Sequence, residues 1–184
     1  RSSTLGKKNR SKNIKSFCGK PLFYWILESL SLSKYIRTVI INTDSEIIAK
    51  MACDNFDNIT IHMRPDYLLE IQQNEASQIL DYDLSVEKGD FFLQTHSTNP
   101  LLKTETVDRS IETFFGQNEH DSLFSVTPIQ SRFFWENGEA INHDPHNLIK
   151  TQELPFIFEE NSCIYIFSRH SFYENKNRIG KNPM

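Results

Sequence analysis

The chain has 184 residues and a mass of 21.5 kDa, room for one domain with a sizeable core and too little for two independent ones. With 38% hydrophobic, 24% charged and 12% aromatic residues, including fourteen Phe, its composition excludes a disordered chain, and no apolar run approaches the roughly 18 residues that span a membrane. The net charge of −4 is split between a +7 segment (Arg1, Lys7, Lys8, Arg10, Lys12, Lys15 and Lys20, with no acid before residue 21) and a remainder of 13 basic and 24 acidic residues at −11. A basic segment on an acidic body suits an anionic partner or a solvated tail. At a pI near 5.9 it argues against nucleic acid, which a broad basic face would serve.

In chain order, Ser2, Ser3, Thr4 and Gly6 with the basic residues make a polar loop. Pro21 then sits where a first helical turn tolerates it, and Leu22, Trp25, Ile26, Ser29 and Leu30 recur at helical spacing over 21–34. Tyr24 and Trp25 are expected in that helix's core. The run Thr38–Asn42 is β-branched and apolar on consecutive positions, which predicts a buried parallel strand. Thr43-Asp44-Ser45 can cap a helix with Ile47, Ile48, Met51 and Ala52 inward, and a strand follows at Ile59–His62. Ile79, Leu80 and Leu84 predict a helix over 75–87, ended by Gly89-Asp90 before a strand at Phe91–Gln94. Thr104 reads as an N-cap with Val107, Ile111, Phe114 and Phe115 on the inner face, and Ser122–Thr127 and Ser162–Phe167 read as strands.

This alternation predicts a three-layer α/β/α sandwich with a Rossmann-like, mostly parallel sheet. Residues 128–160 interrupt it with Phe133, Phe134, Trp135 and an Asn137-Gly138 turn, and read as a protruding hairpin-like arm. Its aromatics would pack either on another subunit or on an edge of the same core. A phosphate loop normally follows the first strand of such a sheet. Here the basic loop begins at residue 1, so either the first strand is missing or the loop is an unanchored tail.

Three polar segments follow predicted strands and should gather at one sheet edge: Asn42-Thr43-Asp44, Arg64-Pro65-Asp66 and Gln94–Pro100. With the basic loop they make a hydrogen-bonding, anion-binding cleft of the kind a nucleotide needs. The three cysteines, Cys18, Cys53 and Cys163, are odd in number and lack metal-ligand spacing, and no secretory core precedes them, so a reducing cytoplasm is expected. Cys18 reads as a packed thiol. His143 and His146 flank Pro145 and lack a third ligand for zinc.

Lys12-Asn13-Ile14-Lys15 with Cys18-Gly19-Lys20-Pro21-Leu22 resembles the "KNIK…GGKPL" element of the acylneuraminate cytidylyltransferases, the CMP-sialic acid synthetases. Asn42–Ala49, Arg64-Pro65, Leu93–Leu101, and Gln152–Pro155 leading to Glu160–Ile166 follow in the family's order, so the resemblance covers nearly the whole chain. It implies a nucleotide-diphospho-sugar transferase type of fold. It also implies attack by the anomeric hydroxyl of a sialic-acid-like 2-keto sugar acid on the α-phosphate of CTP, releasing pyrophosphate, for surface glycan or lipopolysaccharide biosynthesis. Arg1, Ser2, Ser3 and Lys12 would cradle the triphosphate, with Asn13, Arg64 and Ser77 on the nucleotide and Arg64 reading cytosine. Gln94, Thr95 and Ser97 would face the sugar acid, joined by Lys150 and Gln152 from the arm of a homodimer. Arg1, Lys12 and Gln94 are the catalytic candidates.

The resemblance also implies Mg²⁺ on a C-terminal Asp-x-Asp element, expected beyond the last residue given, Met184. His96 and Asn99 replace the commoner Pro-Thr-Ser-Pro run, which points to a subgroup whose sugar is open. Asp44 is either a helix cap or a functional carboxylate. The 3-deoxy-manno-octulosonate cytidylyltransferases and a non-catalytic nucleotide-sugar-binding homologue are the alternatives.

Overall fold

The structure, a computed structural model, describes residues 12–70 and 75–184; Arg1, Ser2 and Ser3 lie outside the described residues. It opens with a hairpin of β1 (Ser16–Phe17) and β2 (Lys20–Pro21). The two residues between them, Cys18 and Gly19, have φ of 50° and 89°, the paired left-handed conformations of a tight hairpin turn. Cys18 is therefore an exposed turn residue, not a packed thiol.

Pro21 caps helix α1 (Leu22–Ser31), which buries Phe23, Ile26, Leu27 and Leu30. Trp25 departs from the expected core. Its Nε1 donates to the Phe17 carbonyl at 2.9 Å, and the Lys20 ammonium lies 3.7 Å from its ring centre, so the ring braces the hairpin. Tyr24 packs against Phe23 and Phe56 while its hydroxyl donates to the Met51 carbonyl at 3.1 Å.

β3 (Val39–Thr43) pairs in parallel with β4 (Ile59–Met63), as their β-branched runs predict. Between them runs α2 (Glu46–Asn55), whose N-cap is Ser45: its hydroxyl accepts from the Ile48 amide at 3.4 Å. Asp44 is thus not the cap. Ile48 and Ala52 are buried, but Ile47 is 61% exposed, since one residue along the helix turns it about 100° away from the buried face. A short helix α3 (Asp66–Leu69) precedes α4 (Glu75–Val86).

β5 (Phe91–Gln94) and β6 (Ser122–Ile129) both pair antiparallel with β7 (Ile157–Ser168), which lies between them, so β5 and β6 run the same way. α5 (Thr104–Phe115) connects the two and buries Val107 and Phe114, while Phe115 is exposed. Thr104 is the helix's first residue rather than its cap, and its hydroxyl donates to the Ser29 carbonyl at 3.0 Å, tying α5 to α1. A last helix, α6 (Arg169–Asn175), was not predicted.

Apolar residues fall into one core under α1, α2 and β3 and further clusters on both faces of β7, where Tyr165 and Phe167 are fully buried. The far halves of β6 and β7 carry the pairing on to Ile129 and Ile157. Beyond them the chain makes a hairpin with the expected turn: Gly138 has φ of 85° and Trp135 accepts its amide at 2.9 Å. Phe134, Trp135, Phe156 and Phe158 of this arm are exposed. Among the described residues no helix is long and apolar enough to cross a membrane.

Candidate active site

β3 pairs with β4 and β5 with β7, and between the facing edges of β3 and β5 lies a cleft of about 960 Å³. Its depth is apolar, lined by Ile26, Leu27, Ile41 and Leu93. Its mouth is polar, because the carboxyl ends of β3, β4 and β5 place Asn42, Thr43, Arg64, Gln94, Thr95 and Ser97 there. This is where ligands bind in open α/β sheets.

The predicted residues come together in two groups. On the side of β3 and β4, the Arg64 amide donates to the Thr43 carbonyl at 2.8 Å, and its Nε donates to Asn42 Oδ1, also at 2.8 Å. Ser77, half-buried on α4, is beside Ala76, which lines the same cleft. On the other side, Ser97 Oγ donates to Asn13 Oδ1 at 3.1 Å, and the Asn13 carbonyl accepts from the Phe23 amide at 3.1 Å. The loop that holds exposed Lys12 is thereby tied both to α1 and to the segment after β5. Thr95 Oγ1 accepts from Asn99 Nδ2 at 3.4 Å, whose amide also reaches the Ser162 carbonyl at 3.2 Å.

Gln94 has a partner that sequence reasoning missed. Arg178 Nη1 donates to Gln94 Oε1 at 3.0 Å and Nη2 to Glu160 Oε1 at 3.4 Å, while the guanidinium stacks 3.6 Å from the Tyr165 ring centre. The Tyr165 hydroxyl hydrogen-bonds Glu160 and, at 3.1 Å, Ser162 Oγ. Burial, then the hydrogen bond to Glu160, pushes that phenol's pKa up; burial and the nearby Arg178 charge push His96 below its ordinary 6.5. No local motif marks Arg178, since it follows Gln94 by 84 residues.

Lys150 and Gln152 are exposed on the arm, and their carbonyls accept from Glu153 and Gln130 at 2.9 Å each. Neither lines the cleft within this chain. His143 packs edge-on to Phe134 at 4.8 Å. Among the described residues no three His, Cys, Asp or Glu side chains are placed to hold a metal ion.

Comparison with known proteins bears on the family and the fold. Residues 8–183 match the family model described as Cytidylyltransferase. The chain is 25% identical to the post-translational flagellin modification protein B of Campylobacter coli, covering 99% of this chain and 80% of that one. It is 23% identical to the pseudaminic acid cytidylyltransferase and UDP-2,4-diacetamido-2,4,6-trideoxy-beta-L-altropyranose hydrolase of Helicobacter pylori, covering 97% of this chain but 35% of that one. Among solved structures, the CMP:2-keto-3-deoxy-manno-octonic acid synthetase complexed with CTP superposes with a TM-score of 0.65 at 12% identity, covering 89% of this chain and 70% of that one, a likeness of fold. The resemblance read from the motifs therefore holds, and the chain belongs to the cytidylyltransferase family.

Proposed function

We propose that this protein transfers CMP from CTP to the anomeric hydroxyl of a sialic-acid-like 2-keto sugar acid. The hydroxyl oxygen forms a bond to the α-phosphorus, the bond to the bridging oxygen of the β-phosphate breaks, pyrophosphate leaves and the hydroxyl proton passes to solvent. Such transfer depends on positioning and on neutralising charge. The observation that carries the reading is the polar cleft mouth with Arg64 at one side and Gln94, backed by Arg178, at the other.

In this reading Arg64 reads the cytosine edge, with Ser77 beside the base or ribose. Lys12 and Asn13, with Arg1, Ser2 and Ser3, oppose the triphosphate charge. Gln94, Thr95 and Ser97 face the sugar acid, and Arg178 orients the Gln94 amide and adds positive charge near a substrate carboxylate. Mg²⁺ would accompany the triphosphate on ligands outside the described residues. The relative that is a pseudaminic acid cytidylyltransferase by name supports a sialic-acid-like acid as the substrate; in this reading the product is made in the cytoplasm and serves a surface glycan.

Two features of the fold extend the proposal. The exposed aromatics of the arm would pack on a second copy, whose site Lys150 and Gln152 would then complete. The cleft also separates β3 from β5, each of which is an edge strand of its own sheet among the described residues. We infer that a strand from outside the described residues joins β3 to β5 there, leaving the polar mouth as the site.

The deciding experiment is pyrophosphate release with CTP and Mg²⁺ against sialic, legionaminic, pseudaminic and octulosonic acids. Release with a nine-carbon acid supports the reading, and release with octulosonic acid alone moves it to the eight-carbon branch. CTP binding with no release across the panel supports the binding-only alternative. No CTP binding sinks the nucleotide site.

A further inference from the structure

Behind Arg64 stands a chain of polar side chains that the substrate-facing residues do not account for. His62 lies on β4 two residues before Arg64 and is 5% exposed. Its Nδ1 is 2.7 Å from Asp83 Oδ1 and its Nε2 is 3.0 Å from Glu87 Oε1. Those carboxylates are four residues apart along α4 and its last turn, a spacing that sets both on one face. Asp83 Oδ1 also accepts from Asn42 Nδ2 at 2.7 Å, and Asn42 Oδ1 in turn accepts from Arg64 Nε at 2.8 Å. Arg64 Nη2 adds a longer bond to the Asn42 carbonyl at 3.4 Å.

The chemistry of these groups gives the chain a direction. A carboxylate only accepts and a guanidinium only donates. Asn42 stands between one of each, so its amide has a single orientation that satisfies both. The guanidinium is planar, with its donors in a rigid fork. Holding Nε and one Nη on Asn42 therefore sets the plane in which the fork is presented at the cleft mouth, before any ligand arrives. Ordering completed during folding is not charged against binding.

We propose that Asn42 is a positioning residue for Arg64, anchored by Asp83 and, through it, by His62 and Glu87, so that α4 sets the orientation of the nucleotide-reading guanidinium. This rests on the reading of Arg64 as the residue that meets the cytosine. A merely structural cluster would close β4 onto α4 and affect nucleotide binding only through general loss of stability. A positioning chain acts on CTP through Arg64 alone.

The test is a double-mutant cycle on the full chain, with CTP affinity by calorimetry and Arg64 Nε–H exchange by NMR without nucleotide. Asn42→Ala is expected to weaken CTP about tenfold, the scale of one hydrogen bond to a charged group. In the Arg64→Ala background it should weaken CTP no further, because the two residues act as one. Asp83→Ala should match Asn42→Ala, while Asp83→Asn keeps an acceptor oxygen and should restore most of the affinity. Without nucleotide, Arg64 Nε–H exchange should quicken in Asn42→Ala and Asp83→Ala. Additive losses in the cycle, or exchange unchanged by Asn42→Ala, would overturn the proposal. Wild type that binds no CTP, or Arg64→Ala that binds as wild type does, would instead overturn the nucleotide role of Arg64 and this inference with it.

Discussion

The two sides of the cleft are built on different principles. The side formed by β3, β4, α1 and α2 is a parallel unit made from consecutive chain segments, and one edge of β3 faces the cleft. The other side is organised around β7, which takes β5 on one edge and β6 on the other and has Tyr165 and Phe167 at 0% exposure. The first side presents Arg64 through a short relay within neighbouring elements. The second presents Gln94 through Arg178, from a segment far along the chain. Stability is thus expected to concentrate on β7, and sugar-side chemistry to be the more sensitive to long-range packing.

The largest effect expected from this contrast is on stability. Phe167 is wholly buried and packs on Phe92 and Phe172, so Phe167→Ala should cost about 3–5 kcal/mol, seen as a fall in the denaturant midpoint. Ile48→Ala on the other side should cost less, about 2 kcal/mol. Amide exchange sharpens the point: β7, bonded on both edges, should exchange more slowly than β3. Equal protection of the two strands would show that the cleft edge of β3 is covered.

Next in size are the ligand effects. Arg64→Ala should weaken CTP by about 10- to 100-fold, the range of hydrogen bonds to a charged group, with little change in midpoint. Gln94→Ala and Arg178→Met should instead raise the sugar-acid KM about tenfold and leave CTP affinity within about twofold. Steady-state kinetics with both substrates would show a reversed pattern if the two sides of the cleft had been assigned the wrong way round.

A smaller effect concerns His96, whose pKa is held below 6.5 first by burial and then by the Arg178 charge. As pH falls below 6.5 the unfolded chain takes up this proton before the folded one does, so stability is full above 6.5 and drops until His96 protonates in the folded state. Arg178→Met should raise the His96 pKa, measured by NMR titration, and shrink that pH-dependent loss. An unmoved titration would mean that burial alone sets it. The smallest effect belongs to Lys20, paired at the surface with Glu28 and stacked on Trp25. Lys20→Met should cost under about 1 kcal/mol by thermal melting, since both partners remain partly solvated.

How far the sequence was legible follows from the range of each interaction. Arg64 and Gln94 were legible as cleft residues because Gln94 ends, and Arg64 directly follows, a short apolar strand, and strand ends in this class face the ligand. Trp25 was misread because helical spacing reports which residues share a face, while the hairpin that occupies the face of Trp25 comes from residues 16–21. The cap lies within Thr43-Asp44-Ser45 as read, at Ser45 rather than Asp44, since three adjacent residues can each accept from a helix amide and only backbone geometry chooses. Asp83, Glu87 and Arg178 carried no local signal, because a charge on an amphipathic helix or in a terminal loop reads the same whether it faces water or a buried partner.

By itself the sequence determined most of the strand and helix order and the polar ends of β3, β4 and β5, because periodicity and strand ends are properties of neighbouring residues, and its motifs carried the likeness to the cytidylyltransferase family that the match over residues 8–183 bears out. Only the tertiary structure decided that β7 would run against both β5 and β6, that Arg178 would meet Gln94, and that Asn42 would join Arg64 to Asp83. Those pairings join residues 22 to 84 positions apart in two of the cases, and what brings them together is the burial of the whole core rather than any preference of the local chain.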